Sequence, residues 1–445
     1  METFLIKALQ LILSLSILVI VHEFGHFMFA RIFKIRVEKF YLFFDAGFSL
    51  FKYKPKNSDT EYGIGWLPLG GYVKIAGMVD ESLDTEQLKQ PEQPWEFRSK
   101  PAWQRLLVMV GGVVFNIILA IFIYAMILFA WGDTYTSFKD IKTGMVFSEV
   151  AKEAGFQDGD IIINADGKDL KLRTDKTLDM NTLITFMNAK EVVVQRDGEL
   201  KTIHIPEGFG DQILSSKRMV YEPNLPAIAD NIVAGSQAEK AGLLKGDRIV
   251  GLAGKEVKSF IDIYAIVADN LGKDISVAYS RGDSVYNTTA YVDSVNKLGI
   301  GPMPLDNIMT VNHDKIGFFE SFPKGITLAK ETLQGYIGQF KYVFTKDGIS
   351  NLGGFGAIGG LFPATWDWQA FWMMTAFLSV ILAVMNILPI PLLDGGHVMF
   401  LLYEMITRRK PNEKFMEYAT IVGMVLIFGL VIYANGNDIF KAIFK

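Results

Sequence analysis

The sequence predicts a multi-pass α-helical membrane protein carrying a large polar insert built from a repeated α/β unit. Three observations predict it. Half of the 445 residues are hydrophobic, 34 of them Phe, and the mean hydropathy of +0.25 is too apolar for an ordinary soluble enzyme. Four separate runs are long and apolar enough to cross a bilayer core of about 30 Å. Between the second and third runs, a nine-residue pattern beginning at Ala154 returns at Ala241, 87 residues later. The formal charge of -4 gives no support for nucleic-acid binding. With no cysteine, the chain has neither disulfides nor thiolate metal ligands.

The first run, Phe4 to Ile32, holds His22-Glu23-Phe24-Gly25-His26 where ionisable groups are costly. It starts without a basic leader or a small-residue cleavage site and outruns a signal peptide's apolar core, so it reads as a retained transmembrane helix. Residues four apart share a helix face, so His22 and His26 can hold one metal ion with Glu23 beside it, the HExxH arrangement of zinc peptidases. A carboxylate at the centre of a membrane helix costs about 2.5–3.5 kcal/mol, whereas a zinc site returns on the order of 10 kcal/mol. Zn2+ accounts for the placement, and Glu23 would take the proton of the water it activates.

The other runs are Leu106 to Trp131, Phe371 to Leu393 and Met416 to Ala434. Trp103, Trp131, Trp372, Tyr418 and Tyr433 stand near their ends as interfacial anchors. Arg31, Lys34, Arg36 and Lys39 follow the first run, and Arg408, Arg409, Lys410 and Lys414 follow the third; both connections are expected in the cytoplasm. Four spans then place both termini and everything from Gly132 to Gln369 on the opposite side.

After the first run, Tyr62 to Gly77 is apolar and glycine-rich, and reads as extended chain. It either dips into the membrane and lines a cavity or lies as an interfacial hairpin. Asp80 to Glu96 is an acidic, polar surface linker.

In the insert, Ala154-Gly155-Phe156-Gln157-Asp158-Gly159-Asp160-Ile161-Ile162 matches Ala241-Gly242-Leu243-Leu244-Lys245-Gly246-Asp247-Arg248-Ile249, and Asp166-Gly167-Lys168 matches Ala253-Gly254-Lys255. Each copy predicts a short helix, a glycine turn, a strand and a second glycine turn. The closing hairpins fall at Val192 to Arg196 with Leu200 to Ile205, and at Ile275 to Ser280 with Tyr286 to Val292. This pattern resembles the PDZ domains of bacterial proteases, which bind extended peptides by strand addition. The resemblance implies a groove in the second copy bordered by Pro226 to Ile232, with Ile228, Ala229 and Asp230 as peptide-binding residues. In the first copy the equivalent entry falls near Gly144-Met145-Val146-Phe147, and either copy could instead be a spacer.

From Ile326 the apolar positions Ala329, Leu333, Ile337, Phe340 and Phe344 follow at spacings of three and four, predicting an amphipathic helix on the membrane surface or against the repeats. Asn351 to Gly360 is a glycine-rich hinge. In the third run, Asn386-Ile387-Leu388-Pro389-Ile390-Pro391-Leu392-Leu393-Asp394-Gly395-Gly396-His397 places two prolines that break the helix and leave Asn386 and Asp394 at membrane depth. Asp394 is the natural third ligand and His397 the alternative. Asn386 can donate a hydrogen bond to an oxyanion, or serve as a polar contact between helices.

HEFGH, LPLGGYVK, tandem PDZ-like repeats and NILPIPLLDGGH, in this order and over most of the chain, resemble the site-2 protease family, the RseP-type intramembrane zinc metalloproteases of the sigma-E regulator class. The resemblance implies four transmembrane helices, a membrane-reentrant β-hairpin and two inserted PDZ-like α/β domains. It implies His22, His26 and Asp394 as zinc ligands, Glu23 as catalytic base and Asn386 as a substrate-stabilising residue. Gly70, Gly71, Tyr72 and Val73 would bind unwound substrate on the reentrant hairpin. Implied partners are single-span transmembrane substrates of the anti-sigma-factor and signal-peptide-remnant type, the lipid bilayer and an upstream site-1 protease. The implied location is a bacterial inner membrane. The expected divisions are 1–132, the N-terminal membrane half; 133–215 and 216–308, the repeats; 309–370, the amphipathic helix and hinge; and 371–445, the C-terminal membrane half. Gly353 to Gly360 lacks the Gly-Pro element that relatives carry before this span. A different class of reading is a non-catalytic PDZ scaffold with a metal clip, which would close the site with a fourth ligand such as His397.

Overall fold

The computed structural model describes residues 2–78, 90–173, 180–216, 219–293, 298–304, 307–343 and 353–444. The sequence-predicted linker over 80–89, the start of the hinge at 351–352 and Phe344 lie outside the described residues. The chain divides into two compact units, Met1–Asp133 with Asp314–Lys445, and Thr134–His313.

The first unit contains helices α1 (Glu2–Ile32) and α2 (Ala102–Trp131), with strands β1 (Val37–Tyr53) and β2 (Glu61–Ile75) between them. Its second segment adds α3 (Phe318–Val343), α4 (Phe355–Gly360), α5 (Trp368–Ile387), α6 (Asp394–Thr407) and α7 (Glu413–Phe444). Four of these, α1, α2, α5 and α7, are long and apolar enough to span a membrane. Their ends obey local chemistry. Gly132, at φ +77°, closes α2 by donating to Leu128 O. The Asp367 carboxylate caps α5 through the Ala370 N–H, and α5 stops two residues before Pro389.

The third span is therefore shorter than its apolar run. It ends at Ile387, and Asp394 opens a separate helix, α6, beyond a non-helical link containing Leu392 at φ +105°. Apolar composition continues through the break, whose residues are half-buried except for the exposed Pro389; hydropathy does not register where the backbone turns.

α1 and α2 meet where Gly25 faces Gly111, so closely that a methyl on either would overlap the other's backbone. The amphipathic helix α3 packs within the first unit. It buries Ala329, with Leu333, Tyr336 and Phe340, against Ala120, Ile123, Tyr124 and Ile127 of α2 and Met373 of α5. Ile326 and Ile337, on its flank, remain exposed. Its apolar stripe found protein because Gly325 lets the helix approach Ala125 at backbone distance.

The hinge also differs from expectation, since residues 355–360 are helical. Asp438 of α7 accepts from the Gly354 and Ala357 N–H groups, and Asn435 accepts from the Phe355 N–H. On the other side Lys7 and Gln10 of α1 donate to the carbonyls of Gly360 and Pro363. These hydrogen bonds restrain the segment from both sides.

The glycine-rich stretch is a strand, paired antiparallel with the preceding one. Both strands bend, so Lys39 to Leu42 lie beside Gly71 to Lys74 on one side and Glu61 to Ile64 on the other. Val37, Tyr41 and Ile75 are buried, whereas Phe48, Leu50, Phe51 and Tyr53 are exposed.

In the second unit the repeat is visible as chemistry. The first copy has strands at Ile161–Ala165, Glu191–Arg196 and Glu199–His204; the second has Arg248–Leu252, Asp274–Arg281 and Ser284–Tyr291, both sheets antiparallel in chain order. Asp160 and Asp247 accept from the Gln157 and Leu244 N–H groups at the glycine turn. Each receives a two-pronged bridge from the closing hairpin, from Arg196 and Arg281 respectively. Tyr221–Pro223 pairs with Met145–Phe147, and Tyr221 packs on Phe186, so the first copy's packing reaches past residue 215.

Candidate metal centre

Helical geometry puts His22 and His26 on one face of α1, both buried, with their Nε2 atoms 3.2 Å apart. α6 brings the third group. Asp394 Oδ2 lies 3.2 Å from His22 Nε2 and 3.4 Å from His26 Nε2. These three residues form the one group among the described residues whose ligand atoms converge in this way. His397 is not in it.

Asp394 is delivered by the proline link. Gly395 sits against the carbonyls of Ile387 and Leu388, and Gly396 against Pro391, so any side chain at either position would push α6 away from the end of α5. Farther along α6, Glu404 accepts from Arg105 at the start of α2, whose Nε donates to Lys100 O. α6 is tied down at both ends.

The donor set fits zinc. Ligands held at 2.0–2.1 Å on the corners of a tetrahedron stand about 3.3 Å apart, which is the size of this triangle. Asp394 Oδ2 is buried with no hydrogen-bond donor, an arrangement that is costly unless a cation faces it. Among the described residues no fourth His or carboxylate joins the three, so a tetrahedral ion held by them would keep one corner for water.

α2 forms the wall behind the imidazoles through positions four residues apart. The Val108 carbonyl lies 2.8 Å from His26 Nδ1, and the Asn116 amide lies 3.1 Å from His22 Nδ1. Gly112 stands between them, where a methyl would come within 2.5 Å of His22 Cε1. Sequence reading missed all three. The available signals were the Gly111-Gly112 pair and a lone Asn inside an apolar run.

Glu23, next to His22, is half-buried. Gly71 lets β2 rest on Val19 of α1, three residues before His22. Asn386, in the last turn of α5, has its Nδ2 3.2 Å from His22 Nε2. The residues expected to bind peptide in the repeats make several backbone hydrogen bonds within the second unit. Ile228, Ala229 and Asp230 direct their N–H groups to the carbonyls of Pro226, Asp247 and Gly301, and the Ala229 carbonyl accepts from Gly246. Met145–Phe147 is likewise paired with Tyr221–Pro223.

A family model described as Peptidase family M50 matches residues 10–430. The chain is 29% identical to the Regulator of sigma-E protease RseP of Escherichia coli (strain K12), over 98% of this chain and 99% of the relative. It is 27% identical to Metalloprotease MmpA of Caulobacter vibrioides, over 98% of this chain and 96% of the relative. RseP of Salmonella typhimurium is similar at 27%, over 96% and 97%.

Proposed function

The chain belongs to peptidase family M50, the intramembrane zinc metalloproteases, and from that premise we propose that it hydrolyses peptide bonds in the transmembrane segments of single-span proteins. The observation that carries the reading is the His22, His26 and Asp394 triangle, zinc-sized and open on one corner beside Glu23. When bound, zinc supplies Lewis acidity and lowers the pKa of water at its open position toward about 7.

The chain's own residues do the rest. Glu23 takes a proton as the water oxygen bonds to the scissile carbonyl carbon, and returns it to the leaving nitrogen as the C–N bond breaks. The Asn386 amide donates to the oxygen that gains charge. A substrate helix hides its amides in internal hydrogen bonds, so it must unwind. Gly70 to Val73, on the strand that rests on α1 at Val19, would supply backbone partners to the unwound segment.

The basic connections after α1 and after α6 support a cytoplasmic placement for both, with both termini and the repeats outside, in a bacterial inner membrane. The repeats stand between the second and third spans in the chain and take a steric role. They serve as an obstacle to substrates with intact outer domains, making trimming by a site-1 protease the preceding step. Anti-sigma factors and signal-peptide remnants are the substrate classes this order fits.

The test is co-expression with a tagged single-span protein lacking its outer domain. Wild type is expected to yield a shortened product; Glu23→Gln, none, with its zinc retained. A cleaving Glu23→Gln variant would remove the base assignment.

A further inference from the structure

Asn116 is fully buried in α2, and its backbone carbonyl accepts from Ser379 of α5. That bond ties the two helices and leaves the side chain unaccounted for. The amide nitrogen lies 3.1 Å from His22 Nδ1, and the amide oxygen is buried with no partner. An unpaired buried oxygen beside a proposed ligand needs a physical reason.

A neutral imidazole that offers its Nε2 lone pair to a metal carries its proton on Nδ1, and that N–H needs an acceptor. His26 has one in the Val108 carbonyl. For His22 the polar group in reach is the Asn116 amide. In the orientation described, the amide donates to Nδ1, which puts the ring proton on Nε2 and blocks ligation. Turning the amide end for end, a change of orientation without a change of shape, places its oxygen at Nδ1.

We propose that Asn116 is a positioning residue for zinc: its side-chain oxygen accepts from His22 Nδ1–H, fixing the ring and the tautomer that ligates. The inference rests on His22 being a ligand. It differs from the family's ligand triad in naming a group on α2 that never touches the metal.

The test measures zinc affinity of the purified full chain by chelator competition, and the absorption spectrum of the cobalt-substituted protein, which reports ligand geometry. Asn116→Leu removes the acceptor at similar volume and is expected to weaken zinc about 10- to 100-fold and to alter the cobalt spectrum. Asn116→Asp keeps the acceptor and is expected to bind at least as tightly as wild type. His22→Ala is expected to lose the site. Wild-type affinity in Asn116→Leu, with loss in His22→Ala, overturns the role of Asn116 and leaves the ligand reading intact. Retained zinc in His22→Ala overturns the ligand reading itself. Should Asn116→Leu fail to fold, Asn116→Asp decides: weaker zinc than wild type refutes the proposal.

Discussion

Adding a single methyl at Gly112 should separate metal binding from fold stability. In Gly112→Ala the new carbon would stand 2.5 Å from His22 Cε1, 2.6 Å from His26 Nε2 and 2.7 Å from His22 Nδ1. Ordinary carbon contacts lie at about 3.5–4.0 Å, so something must yield by about 1 Å. What yields is either α2 or the two rings, and both carry the ligand geometry. A misplacement of about 1 Å costs roughly 100-fold in rate, or about 2.7 kcal/mol. Stability moves less, because overpacking costs about 1–3 kcal/mol while Ala in place of Gly in a helix returns about 1 kcal/mol. We expect a folded protein with a melting temperature within a few degrees of wild type, depleted of zinc and about 100-fold slower. Gly429→Ala in α7, where a methyl meets nothing within 4 Å, is the control and should leave zinc and rate unchanged. Zinc per chain, chelator competition and cleavage of the single-span substrate read the outcome. Wild-type zinc affinity and rate in Gly112→Ala would refute the packing of α2 on the imidazoles.

Two further outcomes follow from charge pairs. Arg105 and Glu404 pair with side chains only 11% and 14% exposed, so Glu404→Ala strands a buried guanidinium at about 3–5 kcal/mol. Thermal unfolding should show that loss, and exchanging the two residues should recover part of it; an exchange no better than either single change would show that the pair does not hold α6. In the second unit, the Arg281 guanidinium beside Asp247 holds its carboxyl below the ordinary value. A lowered folded pKa contributes stability above the unfolded value of about 3.9, and that contribution is lost as pH falls through the folded one. Hydrogen exchange at Arg248–Leu252 and Asp274–Arg281, corrected for intrinsic rates, should therefore lose protection below about pH 4 in wild type. Asp247→Asn should be less protected at neutral pH and show less of this acid loss; unchanged acid loss would place the sensitivity elsewhere.

How much was legible follows from distance along the chain. His22 and His26 could be paired from sequence because four residues on a helix always return to the same face. The spans were visible because bilayer thickness becomes a run of apolar residues, and the two copies because a period survives divergence at Gly-Asp turns. Even there, span three was read too long, since its proline link stays apolar while the helix stops at Ile387.

What the sequence by itself determined about this protein is thus local: which segments are helices, where the repeat lies and which imidazoles face together. The tertiary structure alone decided that α3 lies on α2 and α5, that Asp438 caps α4, and that Asn116 and the Val108 carbonyl stand behind the imidazoles. It also decided that residues 145–147 pair with 221–223. The physical reason is that backbone periodicity sets the neighbours of a residue within a turn or two. Neighbours from distant segments depend on how whole helices pack, and here small residues such as Gly25, Gly111 and Gly325 set how closely they approach.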